Sequence, residues 1–175
     1  MSLLILGLIS TSMTLIYAAK FKATMTGGNE VPPVNVLTSG YTSLRTASND
    51  TVIKYKINIT GLSDATGAHI HQGKVGQNGE IVVDLLNNSK KNEIKVGMAI
   101  RGNITNSTLL GPMKGKPLDI LLSEMESGNT YVNIITSNHP NGEMRGQIQP
   151  GGGQSLNQNS SPSTNTTKMV NTTSS

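Results

Sequence analysis

The chain has 175 residues, 35% apolar, 14% charged and 3% aromatic, with a net charge of +4 and no cysteine or tryptophan. That length carries one domain, or one domain with tails. The missing cysteine removes disulfides, thiolate nucleophiles, iron–sulfur clusters, zinc-thiolate sites and blue-copper centres together.

Residues 1–19 are uncharged and mostly apolar, and end in Tyr17-Ala18-Ala19, whose small residues suit a signal-peptidase site. Ser10, Thr11, Ser12 and Thr14 interrupt the run, whereas a membrane span needs about 20 predominantly apolar residues. The expectation is a cleaved signal peptide, with a short N-terminal anchor as its alternative. Membrane association is then expected only if the segment is retained.

Composition changes at Lys20, where a strand-rich body begins. Phe21 to Thr26 and Gly40 to Thr46 read as strands, separated by the turn formers Gly27-Gly28 and Pro32-Pro33. Thr51 to Thr60 is the best periodic segment. There Ile53, Tyr55, Ile57 and Ile59 alternate with Lys54, Lys56, Asn58 and Thr60. Glu80 to Leu86, Gly97 to Ile104 and Thr130 to Thr136 follow as further strands. Asn78-Gly79 and Asn141-Gly142 predict tight hairpins, because that turn needs positive φ at both central residues. Within Pro117 to Gly128, the i, i+3, i+4, i+7 spacing of Leu118, Leu121, Leu122 and Met125 predicts one short helix. Pro117 suits its first position and Gly128 its C-terminal stop.

Strands at this spacing indicate an all-β antiparallel sandwich or barrel, and an antiparallel Greek-key sandwich is the expected fold. From Pro150 onward Gly, Ser, Thr, Asn and Gln dominate, and such a segment buries too little apolar surface to offset its ordering entropy. The predicted organisation is a leader over 1–19, a domain over 20–149 and a disordered Ser/Thr/Asn-rich tail over 150–175. Sequons begin at Asn49, Asn58, Asn87, Asn103, Asn106, Asn159, Asn165 and Asn171, which fits a glycosylated surface protein.

Two constellations carry candidate chemistry. On a strand, His69 and His71 share a face, with Cα atoms about 6.6 Å apart after two rises of about 3.3 Å. That pair can chelate copper or zinc if His139 or another group supplies a third ligand. The preferred reading is a structural pair of hydrogen-bonded imidazoles. Three histidines in all leave no four-histidine site within one chain. In the second constellation, a strand starting at Glu143 would put Glu143, Arg145 and Gln147 on one face, where they could clamp the last strand as a polar network. Gln72 to Gly79 is glycine-rich, but it lacks the lysine–hydroxyl ending of a phosphate loop. No nucleophile elbow accompanies His139.

Glu30-Val31-Pro32-Pro33, Ala68-His69-Ile70-His71-Gln72-Gly73, Tyr131-Val132-Asn133 and Pro140-Asn141-Gly142-Glu143-Met144-Arg145-Gly146-Gln147 occur in that order. Together they resemble the CHRD domain, the module named after chordin, over about Phe21 to Ile148. The resemblance implies an extracellular immunoglobulin-like or superoxide-dismutase-like sandwich without an assigned activity. It also implies a histidine where this chain has Ile135, so a third imidazole beside His69 and His71 is missing here.

The expected function is a non-enzymatic module, secreted or at the cell surface, that binds an extracellular protein or glycan and no nucleic acid. No cofactor is expected. The alternative is a copper- or zinc-binding protein using His69 and His71, and, on fold analogy alone, a dismutase-like enzyme.

Overall fold

The computed structural model describes residues 18–47, 50–62, 65–87 and 99–152. The leader expected over 1–19 falls almost wholly outside them. So do the tail beyond Gly152, the sequons at Asn49, Asn159, Asn165 and Asn171, and the start of the strand expected from Gly97.

The fold is all-β with one helix. The strands are β1 (Lys20–Thr26), β2 (Ser39–Thr46), β3 (Ile53–Thr60), β4 (Ala65–Gln72), β5 (Ile81–Asp84), β6 (Ala99–Ile104), β7 (Thr130–Thr136), β8 (Met144–Gln147) and β9 (Gln149–Pro150). They pair antiparallel in the order β5-β4-β7-β8-β1-β2-β3-β6, with β9 beside the start of β1. The two ends of this order meet. The Tyr55 hydroxyl of β3 donates to the Leu85 carbonyl just past β5, and Leu110 N–H donates to Val82 O at 2.8 Å. A bridge between Val83 and Leu109 completes the near-closure.

Alternation decides which side of each strand faces the core. Ile53, Tyr55, Ile57 and Ile59 of β3 are buried, as are Phe21, Ala23 and Met25 of β1 and Val132 and Ile134 of β7. They form one apolar cluster with the helix α1 (Leu118–Glu126), which contributes Leu118, Leu121, Leu122 and Met125. The helical spacing was legible to the residue. Pro117 takes the N-cap instead of the first helical position. At the other end Gly128 has φ 67°, its N–H donates to Met125 O at 3.2 Å, and Asn129 N–H donates to Glu124 O at 2.9 Å. This is the paired bonding of a glycine-terminated helix.

Two local expectations fail. Neither Asn78 nor Asn141 has positive φ, so neither Asn-Gly pair makes the tight hairpin its sequence predicts. Asn78 lies in the long connection from β4 to β5, where its side chain bonds to Val31 and Arg145, and these distant contacts override the local turn preference. The last long strand also starts one residue late, at Met144, leaving Glu143 just ahead of it.

Strand β7 departs from half-burial. Its outward residues Tyr131 and Asn133 are buried as well, because the connections after β1 and after β4 fold over that side of the sheet.

Removing the Ile57 side chain beyond Cβ should cost roughly 2–5 kcal/mol, as for other buried aliphatic residues. Lys54→Ala, on the exposed side of the same strand, should stay within about 0.5 kcal/mol. Urea denaturation of both variants checks the alternation, and equal losses would contradict it.

Candidate functional site: a roofed polar face

The register places two rows of side chains across the outer face of β4, β7 and β8. His71, Tyr131 and Gln147 form one row, and His69, Asn133 and Arg145 the other. The His71 ring stacks on Tyr131 with centroids 4.9 Å apart and planes 10° from parallel, and His69 meets His71 edge-on at 5.9 Å. From the opposite neighbouring strand, the Arg145 guanidinium lies 4.2 Å from the Tyr131 ring centre. Only 3% of Arg145 is exposed.

Two connections roof this face, residues 27–38 and 73–80. Asn78 joins them, donating to Val31 O at 2.8 Å and accepting from Arg145 Nη1 at 2.9 Å. Gly79 N–H donates to the Tyr131 hydroxyl at 3.1 Å. A carbonyl can only accept, so the 2.9 Å contact between His71 Nδ1 and Gly79 O puts the proton on Nδ1. Neutral His71 then presents only a lone pair at Nε2, which is buried and has no hydrogen-bond partner among the described residues. Burial is the main force holding the His71 pKa below its ordinary value. The Gly79 bond works against it, while His69 and Arg145 add to the lowering. His69 is lowered too, by burial, with Asp84 opposing. Glycine is required at 79, since a Cβ there would lie 1.6 Å from Gln72 O.

Gln147 anchors the far side, donating from Nε2 to Gly73 O at 2.9 Å and to Gly128 O at 2.7 Å. Glu143 belongs to a separate cluster. It accepts from Thr38 at 2.9 Å and from Thr136 at 3.1 Å, and it pairs with His139 Nδ1. Glu143 and Arg145 make no ion pair with each other; among the described residues the one contact of ion-pair geometry is His139–Glu143, which is an ion pair only when the imidazole carries a proton on both nitrogens. The structure therefore divides the expected trio, with Arg145 and Gln147 under the roof and Glu143 beside it. His139 meets Glu143 through Nδ1, and no group of three or more His, Asp or Glu among the described residues is disposed to hold a metal ion. Of the described sequons, Asn58, Asn87, Asn103 and Asn106 are exposed.

Sequence reasoning missed Glu30 and Asn78 as site residues, and read Tyr131 and Asn133 only as strand. Glu30 is 5% exposed, its carboxyl packed where a Gly142 Cβ would be, at 2.5 Å. Burial raises its pKa from 4.5 to about 7, with Arg145 pulling it down and Glu143 pushing it up. Its Oε1 is buried without a hydrogen-bond partner among the described residues. The available signal was period two: Tyr131 and Asn133 alternate with Val132 and Ile134, as the histidines do with Ile70.

Beside the roofed face a cleft of about 460 Å³ opens between residues 28–31 and 75–76, walled by Lys22, Asn29, Glu30, Val75, Arg145 and Gln147.

The four stretches that carried the resemblance thus converge on one face and its roof. The CHRD domain model matches residues 21–148, from β1 to just past β8. The chain belongs to the CHRD domain family. No curated protein and no solved structure matches it. CHRD domains are non-enzymatic modules that occur in extracellular and secreted proteins. Among the described residues, no helix is long and apolar enough to cross a membrane. In this CHRD domain Ile135 pairs with Gly67 at the end of the histidine row, so that place offers no imidazole.

Glu30 and the histidines give stability opposite pH dependences. A raised carboxyl pKa means the folded protein keeps a proton that the unfolded chain loses, so this stabilisation is present below about pH 4.5 and is lost as pH rises through about 7. The lowered histidines do the reverse, weakening the fold as pH falls below 6.5. Glu30→Gln mimics the protonated carboxyl at every pH. Its melting temperature should exceed that of the wild type at about pH 8, with the gain shrinking towards about pH 4.5. A pH-independent difference would contradict the assigned protonation.

Proposed function

We propose that this CHRD domain is an exported, non-enzymatic module that binds an extracellular protein or glycan partner, either released or held at the cell surface. The cleft between residues 28–31 and 75–76 carries the reading. Its walls are preformed, because Asn78, Arg145 and Asn29 fasten both loops to the sheet. Preformed walls spare a ligand the entropy of ordering them.

Binding is favoured over catalysis because the His139–Glu143 pair is closed on itself. Glu143 also takes the Thr38 and Thr136 hydroxyls, and no hydroxyl bonds to His139 Nε2 among the described residues. It is favoured over a copper or zinc site on His69, His71 and His139 because, among the described residues, no three His, Asp or Glu side chains are disposed to hold one metal ion.

Val75 stands at the cleft rim, 77% exposed, so Val75→Asp leaves the core untouched. The full chain, screened against extracellular proteins and glycans, should show saturable binding to a defined partner. Val75→Asp should weaken it roughly tenfold or more, since a partner seated in the cleft would take the new carboxylate out of water. Absence of any saturable partner would contradict the reading. So would a metal-dependent rise in melting temperature abolished by His69→Ala, which would favour the metal site instead.

A further inference from the structure

The outer face of the other half of the sheet has an unusual composition. Lys20, Arg45 and Lys54 stand directly opposite one another across β1, β2 and β3. Two residues along, the next row reads Lys22, Ser43, Lys56 and Arg101 across β1, β2, β3 and β6. Six of the chain's fourteen cationic residues therefore occupy two adjacent rows, and β1, β2, β3 and β6 contain no Asp or Glu. None of the six has an ion-pair partner among the described residues. Neighbouring strands lie about 4.8 Å apart, so the charges form a dense lattice.

Like charges placed directly opposite destabilise a sheet. Among the described residues no carboxylate pairs with them, which points to compensation from outside. We propose that this face binds an acidic polysaccharide, one bearing carboxylate or sulfate groups along its length. The inference rests on the partner-binding reading and narrows it to one ligand class.

Three features select that polymer among polyanions. Ser43 stands in the cationic rows, and Thr24, Asn58 and Asn103 flank them, supplying hydroxyl and amide partners for sugar hydroxyls. The face carries one exposed aromatic residue, Tyr41, which is too few for the stacking that single-stranded nucleic acids use. Apart from Tyr41 and Ala99 its outward side chains are charged or polar, whereas sites that read peptide side chains are built on apolar pockets. Lys22 belongs both to the lattice and to the cleft wall, so a chain lying on the lattice can run on towards Arg145. The face must be bare to work, and Asn58 and Asn103 both begin sequons on it.

The test titrates the unglycosylated full chain with heparin for sulfate, polygalacturonate for carboxylate, and dextran, duplex DNA and poly-glutamate as comparisons. At least one of the two acidic polysaccharides should bind, more tightly than every comparison polymer, and binding should weaken steeply with salt as exposed charges are screened. Lys56→Gln/Arg101→Gln should weaken it about tenfold, whereas Lys114→Gln/Lys116→Gln, removing the same charge ahead of α1, should stay within about twofold. The face variant should melt no lower than the wild type, because it relieves a like-charge pair. Equal losses in both double variants would reduce the effect to net charge and overturn the proposal. Tighter binding of DNA or poly-glutamate would overturn it too, as would a glycan mapped to Asn58 or Asn103 in native material. If neither acidic polysaccharide binds while a different partner is lost on Val75→Asp, the cleft reading stands and this one falls.

Discussion

Arg145 is a cation taken out of water, and much of the arrangement around it follows from that. Its guanidinium has five N–H donors and no carboxylate partner within ion-pair distance among the described residues. One donor goes to Asn78 Oδ1, and the positive plane lies on the Tyr131 ring. A hydrogen bond to a charged group contributes about 1.5–3 kcal/mol, and a desolvated cation–π contact about 2. Those two contacts hold the charge, and both fix something else in doing so. Asn78 pins the roof, whose other loop it grips through Val31, and Tyr131 orients His71 beneath the same loop.

Polar groups under such a roof must settle their protonation states against each other. The Gly79 carbonyl fixes the proton on His71 Nδ1, and burial together with Arg145 disfavours a second proton. Glu30, near the same cation, is nevertheless pushed towards its neutral form, because burial outweighs the attraction. The face therefore holds one firm charge and several groups kept near neutrality, which lowers the desolvation penalty of covering it. The opposite half of the sheet does the reverse: five of its six cations are exposed and Lys56 is half-buried, with no carboxylate among them on the strands.

What the sequence disclosed depended on the range of the physics involved. The inward residues of β3 and the four buried residues of α1 were legible because periods of two and 3.6 are local. The glycine stop at Gly128 was legible for the same reason. The roof was not, since Asn78 reaches Val31 across 47 positions and Arg145 reaches Asn78 across 67. Those contacts also turned Asn78-Gly79 from an expected hairpin into a clasp. The shared face of Arg145 and Gln147 was readable, but Glu143 falls outside the strand and joins His139 instead. The cationic lattice was equally hidden. Its members are scattered from Lys20 to Arg101, and strand register alone brings them together.

The central claim is that the Arg145–Asn78 bond couples the roof to the sheet. A double-mutant cycle on unfolding free energy, with Asn78→Ala, Arg145→Met and the pair, measures that coupling directly. The two single losses should sum to more than the loss of the double variant, by an interaction energy of about 1–3 kcal/mol, as for other contacting residues in one hydrogen-bond network. Additivity within about 0.3 kcal/mol would mean that the roof is held by other contacts and would contradict the account.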